Sequence, residues 1–187
     1  MRILVISGSL RRGSHNLSLL RAAAAELPPS PELEEYEGLA DLPAYNEDID
    51  TPTAPPAVRS LRQAIAAADA VIIATPEYNG SVPGEFKNAL HWASRRWPDN
   101  SLRGKPVCMI GASTGLFGAV WAQAELRKIL TTIGADVVEN ELPVGQAHAA
   151  FDEEGGLADP DLRARLAESV DALLERAAPQ PAEPVRC

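Results

Sequence analysis

Side chains that could bind a phosphate group are concentrated in one short segment near the start of the chain, residues 7–16. These side chains are Ser9, Arg11, Ser14 and Asn16. A guanidinium group can bind two phosphate oxygens at once, and hydroxyl groups can donate to others. A helix beginning at Asn16 would add backbone N–H donors and a favourable dipole. The segment predicts a phosphate-binding loop, although a plain turn with a helix cap explains it equally well when it is taken alone.

The motifs of the commonest nucleotide sites are missing from this segment. Gly8 is not followed by a second glycine at the spacing of the dinucleotide fingerprint, and no Gly-Lys-Ser/Thr sequence follows. A dinucleotide or ATP site is therefore disfavoured. A loop that holds one terminal phosphate through hydroxyl groups and an arginine favours a mononucleotide.

Two later polar segments have the composition that suits a flat heterocycle. The first carries an aromatic ring and several backbone donors, and the second consists of small residues that let a ring approach the backbone. The candidate residues are Pro76, Glu77, Tyr78, Asn79 and Gly80 in the first segment, and Ser113, Thr114 and Gly115 in the second. A competing interpretation makes Asn79 and Gly80 an ordinary turn and Tyr78 a surface aromatic.

The second of these segments also matches a hydrolase motif. Gly111, Ser113 and Gly115 satisfy Gly-x-Ser-x-Gly between a strand-like and a helix-like stretch, and Asp136 and His148 follow in the hydrolase order. Against a serine hydrolase, the chain is short for that fold and no histidine occupies a convincing late strand-to-helix loop. The first two polar loops would also have no role.

The elements that must position these loops alternate along the chain. Four segments are rich in Val and Ile and nearly all apolar, as in a parallel sheet covered on both faces: residues 3–6, 70–75, 106–111 and 135–141. Residues 33–36 are a fifth, weaker strand candidate. Amphipathic stretches separate them: residues 16–27, 57–68, 83–97, 118–133 and 161–178. This alternation predicts an α/β, doubly wound, five-stranded parallel sheet of order 2-1-3-4-5. Ligands of such sheets bind beyond the carboxyl ends of the strands, where all three polar loops fall.

Bulk composition restricts the partners and the location of the protein. A formal charge of -9 and a pI near 4.8 argue against nucleic acid, and no apolar stretch reaches the ~20 residues of a membrane helix. Cys108 and Cys187 differ in setting, so we expect no disulfide between them and a location in the reducing cytoplasm. The histidines lack metal-site spacing, and we expect no metal. We expect one domain over residues 1–178, with a disordered tail at 179–187.

Together these motifs resemble the NADPH-dependent FMN reductases of flavodoxin-like fold, a family with relatives active on quinones, azo dyes and chromate. The resemblance spans nearly the whole chain and also includes residues 42–48 and 86–90. It implies a three-layer sandwich in which Ser9, Arg11, Ser14 and Asn16 hold the FMN phosphate. Residues 76–80 would line the isoalloxazine ring, with Ser113, Thr114 and Gly115 beneath its far side.

The resemblance further implies NADPH or NADH as co-substrate, a small-molecule electron acceptor, and a homodimer or homotetramer with FMN near the subunit contacts. His91 departs from the acidic residue common at its position, which weakens the case for the tetramer. The hypothesis is a ping-pong flavoenzyme with no catalytic acid, base or nucleophile, because the cofactor carries the chemistry. The alternatives are a flavodoxin-like electron carrier without NAD(P)H activity and the serine hydrolase that uses Ser113.

Overall fold

The five strands form one parallel sheet. The computed structural model describes residues 1–95 and 99–178, so the tail expected at 179–187 lies outside the described residues. The strand order is β2-β1-β3-β4-β5, as predicted. The strands are β1 Arg2–Ser7, β2 Glu32–Glu35, β3 Ala70–Thr75, β4 Pro106–Ala112 and β5 Asp136–Val144.

Helices cover both faces of this sheet and complete three layers. They are α1 His15–Ala25, α2 Pro56–Ala67, α3 Gly84–Ala93, α4 Val120–Thr132 and α5 Pro160–Ala177. Helices α2, α3 and α4 pack on one face with Leu4 and Ile6. Helices α1 and α5 pack on the other with Ile3 and Val5. No helix within residues 1–95 or 99–178 is long and apolar enough to cross a membrane.

Burial explains the composition of the strands. Every residue of β3 is buried because helices cover both sides of this central strand. The edge strand β2 is exposed throughout and consists of Glu32, Leu33, Glu34 and Glu35. Charged side chains on an edge strand discourage pairing with other chains. The weak sequence signal of β2 therefore reflects its position at the edge.

Element boundaries differ from the predicted ones at several positions, by up to four residues. Strand β5 continues to Val144, where the predicted strand stops at 141. Helix α3 ends at Ala93, earlier than the predicted 97. Helix α4 begins at Val120 because Gly118 and Ala119 have φ values of 60° and 63°, which a right-handed helix cannot include. The predicted helix start at 118 is therefore wrong.

Candidate functional site

Three loops meet at the carboxyl ends of β1, β3 and β4 and enclose a cleft. Nine predicted site residues line it together with His15 and Ala112: Ser9, Arg11, Ser14, Asn16, Pro76, Glu77, Tyr78, Ser113 and Thr114. Asn79, Gly80 and Gly115 belong to the same loops but do not line this cleft. A more voluminous cavity of about 370 Å³ lies between α1 and α5 and contains none of the predicted residues.

The loop after β1 is held close to the loop after β3. The Gly8 amide donates to the Ala74 carbonyl at 2.8 Å. A Cβ atom at Gly8 would lie 3.3 Å from that oxygen and 3.4 Å from Pro76 Cδ, which leaves little room for a side chain. Gly8 therefore allows the first two loops to pack against each other.

The side chains predicted to bind phosphate lie where helix α1 begins. Ser14 is the N-cap of α1, and its Oγ accepts from the Asn16 amide at 3.2 Å, which leaves the hydroxyl proton free to donate. Arg11 is exposed, and within the described ranges its guanidinium group forms no ion pair. A helix N-terminus, a hydroxyl group and an unpaired cation together favour an anion.

Asn16 connects the first loop to the end of β4. Its Nδ2 donates to the Ala112 carbonyl and its Oδ1 accepts from the Ala112 amide, both at 2.9 Å. The residue is only 2% exposed. The side chain therefore has a positioning role that the sequence did not indicate, because its partner lies 96 residues away.

The loop after β3 forms a tight hairpin. Tyr78 and Ser81 exchange backbone hydrogen bonds at 3.0 and 3.1 Å. Asn79 and Gly80 have φ values of 55° and 73°, as expected of an Asn-Gly hairpin turn. The turn interpretation is thus correct for the backbone. The same turn places the half-exposed Tyr78 ring at the cleft.

The carboxylate of Glu77 connects this second loop to helix α4. One of its oxygens, Oε2, accepts from the backbone amides of Trp121 and Ala122 at 3.0 and 3.1 Å. The sequence pattern pointed only to the backbone of this loop and did not indicate this role of the Glu77 side chain.

The loop after β4 is supported by the chain that follows β5. The backbone amide of Ser113 donates to the Val144 carbonyl at 3.0 Å, and the backbone amide of Ala147 donates to the Ser113 carbonyl at 3.0 Å. The backbone amide of Gln146 donates to the Gly115 carbonyl at 2.9 Å. Val144, Gln146 and Ala147 were not among the residues predicted to form the site. Gly145, a glycine directly after a strand, is the signal that could have indicated so close an approach.

The hydrolase triad is not assembled. Asp136 begins β5, opposite Pro106, and forms an ion pair with Arg176. Ser113 follows the other end of β4, where Ala112 pairs with Val144. At ~3.3 Å per residue, about 25 Å of strand separates Asp136 from Ser113. The serine hydrolase alternative is therefore wrong.

His15 also lines the cleft, although its sequence pattern did not indicate a site residue. It is the first residue of α1, and its ring stacks on Phe151 with 6.4 Å between centroids. Burial lowers the pKa of His15, and the charges of Arg11 and His148 lower it further. The imidazole of His15 therefore takes up its proton at a lower pH in the folded protein than in the unfolded chain.

The lowered pKa of His15 predicts a pH dependence of stability. Between the unperturbed value of about 6.5 and the lower folded value, the unfolded chain binds more protons, so stability falls as pH falls. We expect the melting temperature of the ligand-free protein to decrease between pH 7.5 and 5.5. His15→Gln should flatten the profile without abolishing it, because burial also lowers the pKa of His91. Parallel profiles for the two proteins would contradict the assignment.

The fold and the cleft define a class of protein. A parallel sheet of order 2-1-3-4-5 binds its ligand at the switch point of strand order, here between β1 and β3. One end of the cleft, at Ser9, Arg11 and Ser14, is suited to binding an anion. The other end consists of small and aromatic residues. These residues fit FMN, whose phosphate and flat ring require these two surroundings. The chain is a flavodoxin-like protein with a mononucleotide-type cleft.

Comparison with known proteins identifies the family. Residues 1–149 match the model of the NADPH-dependent FMN reductases. The chain is 41% identical to the NAD(P)H-dependent FMN reductase of Pseudomonas aeruginosa over 174 residues, 92% of this chain and 93% of that protein. It is 38% identical to the 2-hydroxy-1,4-benzoquinone reductase of a Burkholderia species over 174 residues, 91% and 93% of the two chains.

A solved structure leads to the same assignment. The flavoenzyme FerB, an NAD(P)H:(acceptor) oxidoreductase from Paracoccus denitrificans, superposes with a TM-score of 0.82 at 36% identity, covering 94% of this chain and 96% of FerB. The chain belongs to the NADPH-dependent FMN reductase family. The family membership and the oxidoreductase class expected from the sequence are thereby confirmed.

Proposed function

We propose that this protein is an FMN-dependent NAD(P)H oxidoreductase that reduces a small acceptor such as a quinone, an azo compound, a free flavin or a metal oxyanion. The observation that carries the proposal is the cleft at the carboxyl ends of β1, β3 and β4. It combines a loop suited to binding an anion with two loops suited to a flat ring. The relatives named as FMN and quinone reductases support the same chemistry.

In this proposal the protein binds and orients while the flavin, when bound, accepts a hydride from NAD(P)H and passes electrons on. Ser9, Arg11 and Ser14 hold the phosphate, and Asn16 holds their loop against Ala112. Pro76, Glu77 and Tyr78 would line the ring, and Ser113 and Thr114 would lie beneath its far side. Asn79, Gly80 and Gly115 shape the two loops that carry these residues. No side chain is assigned as a catalytic acid, base or nucleophile.

Anaerobic mixing of the FMN-loaded protein with NADPH, and separately with NADH, tests the function. Rapid bleaching of the yellow colour by either donor, followed by recolouring with quinones, azo dyes or free flavin, is the expected result. Bleaching only after addition of a partner reductase would instead establish the electron carrier. The two donors also decide the NADPH or NADH preference, and the acceptor panel decides the acceptor class.

Arg11 provides a test of the phosphate assignment. Arg11→Ala removes a charge-assisted contact to the phosphate and is expected to weaken FMN binding about tenfold or more. Binding of riboflavin, which lacks the phosphate, should be unchanged. Fluorescence titration of the apoprotein with both flavins measures the two constants. Arg21→Ala, on the exposed side of α1, is the matched control; an unaltered FMN affinity in Arg11→Ala would refute the assignment.

We also propose that the protein acts in the cytoplasm as a homodimer or homotetramer. Four large apolar side chains near the cleft are at least half exposed, which is the mark of an interaction surface: Tyr78 at 50%, Leu116 at 69%, Phe117 at 60% and Trp121 at 53%. The Phe117 and Trp121 rings are in contact, with 5.2 Å between centroids.

This surface makes a specific prediction about assembly. Replacing Phe117 and Trp121 by serine is expected to shift the protein to monomers in analytical ultracentrifugation, because the apolar contact area is lost. Ile49→Ser changes an exposed apolar residue of the 3-10 helix Glu47–Ile49 and should leave the mass unchanged. A double variant that sediments like the wild type would show that the copies meet elsewhere.

A further inference from the structure

Helix α4 begins without a cap from its own sequence. Its N-cap residue is Ala119, whose side chain has no hydrogen-bond acceptor and whose φ is 63°. A helix N-terminus leaves its first amides unpaired, and those amides need an acceptor. At α4 that acceptor is Glu77, which lies 44 residues before Trp121 and 45 before Ala122.

The Glu77 carboxylate is well suited to this task. Hydrogen bonds from backbone amides to a carboxylate are charge-assisted, and a negative charge at a helix N-terminus interacts favourably with the helix dipole. Both amides reach the same oxygen, at 3.0 and 3.1 Å. Glu77 therefore supplies the missing cap from a different loop.

This contact connects the two loops that form the walls of the ring end of the cleft. Glu77 lies between Pro76 and Tyr78 in the loop after β3, whereas the helix it caps begins directly after the loop that follows β4. The buried Gln123 supports the same turn, since its Nε2 donates to the Gly118 and Ala119 carbonyls at 3.3 and 3.4 Å. The Glu77 side chain thus joins one wall directly to the other.

We propose that Glu77 is a positioning residue for the flavin ring, whose carboxylate caps α4 and thereby sets the distance between the loop after β3 and the loop after β4. The inference rests on the proposed function, because it assigns these two loops to the ring. It separates the side chain of Glu77, which holds the walls in place, from the backbone of the same loop, which contacts the ring.

The two ends of the cleft can be measured independently, because riboflavin has the ring but no phosphate. Glu77→Ala is expected to weaken binding of riboflavin and of FMN to the apoprotein by the same factor, about tenfold. Glu77→Asp, one methylene shorter, should resemble Glu77→Ala. Glu77→Gln keeps an acceptor oxygen of the same reach and should restore part of the affinity. Arg11→Ala, in contrast, should weaken FMN alone.

Two further measurements distinguish positioning from simple stabilisation. Hydrogen exchange of the Trp121 and Ala122 amides should accelerate in Glu77→Ala, and the visible circular dichroism of bound flavin should change. Glu85→Ala is the matched control, because Glu85 is an exposed glutamate in the first turn of α3. It should leave both flavin affinities and both spectra as in the wild type.

The outcomes separate the two levels of the proposal. If Glu77→Ala melts at a lower temperature but binds both flavins like the wild type below that temperature, Glu77 is a helix cap only and the inference fails. If Glu77→Ala does not fold, Glu77→Gln decides the matter: a smaller, equal loss of riboflavin and FMN affinity supports the inference, and wild-type affinities for both flavins overturn it. If the wild-type apoprotein binds neither flavin, the proposed function itself fails.

Discussion

Replacing Gly118 by alanine is expected to lower the free energy of unfolding by about 3 kcal/mol or more and to abolish FMN binding. A Cβ atom at this position would lie 2.5 Å from the Val144 amide nitrogen and 2.6 Å from the Pro143 carbonyl carbon. Both are backbone atoms of β5, which cannot rotate away. The φ of 60° adds strain for any residue with a side chain. Relief therefore requires that the loop after β4 leave its place in the cleft.

Urea denaturation and FMN titration measure the two effects of Gly118→Ala. Gly84→Ala is the control, because no heavy atom lies within 4 Å of the position that its Cβ would take. Gly84 also begins a helix, where alanine is acceptable. The free energy of unfolding of Gly84→Ala should therefore differ from the wild-type value by less than about 0.5 kcal/mol. Comparable stability in the two variants would show that the loop tolerates displacement.

Asn16→Ala is expected to cost about 2–4 kcal/mol of stability and to weaken FMN binding by at least tenfold. The substitution removes both hydrogen bonds to Ala112 and leaves that residue's amide and carbonyl buried without these partners. Asn16→Asp should also be harmful, because one carboxylate oxygen would then face the Ala112 carbonyl. Chemical denaturation and flavin titration of the same preparations measure both quantities.

A second buried asparagine serves as the control for Asn16. Asn100 also bonds the backbone through both ends of its amide, with Nδ2 donating to Ile133 O and Oδ1 accepting from Leu102 N, each at 3.0 Å. Asn100 precedes β4 and so lies near the amino ends of the strands, whereas the cleft lies beyond their carboxyl ends. Asn100→Ala should lose a similar amount of stability and keep its FMN affinity. Equal FMN affinities in the two variants would contradict the positioning role of Asn16.

Local patterns were sufficient to predict the elements and their order. The apolar run of β3 reflects burial on both faces, which depends on composition over a few consecutive residues. The Asn79-Gly80 turn likewise follows from the φ preferences of two neighbouring residues. Because right-handed crossovers restrict the order of parallel strands, these local signals also predicted the sheet topology and the edge at which the loops meet.

The contacts that hold the loops together depend on the tertiary structure. Asn16 finds its partner 96 residues away and Glu77 finds its partners 44 and 45 residues away, after three strands have been brought side by side. The start of α4 could not be read from its amphipathic spacing, since the contact of Gly118 with Val144 depends on the register of β5 against β4.

The sequence by itself therefore determined nine of the residues that line the cleft, because side-chain chemistry and position after a strand are local properties. It did not indicate His15 or Ala112. Only the tertiary structure decided which of those side chains line the cleft without holding a loop and which, like Asn16 and Glu77, hold the loops together. That division depends on the distances between groups far apart in the chain, and it excluded the serine hydrolase by placing Asp136 and Ser113 at opposite ends of the sheet.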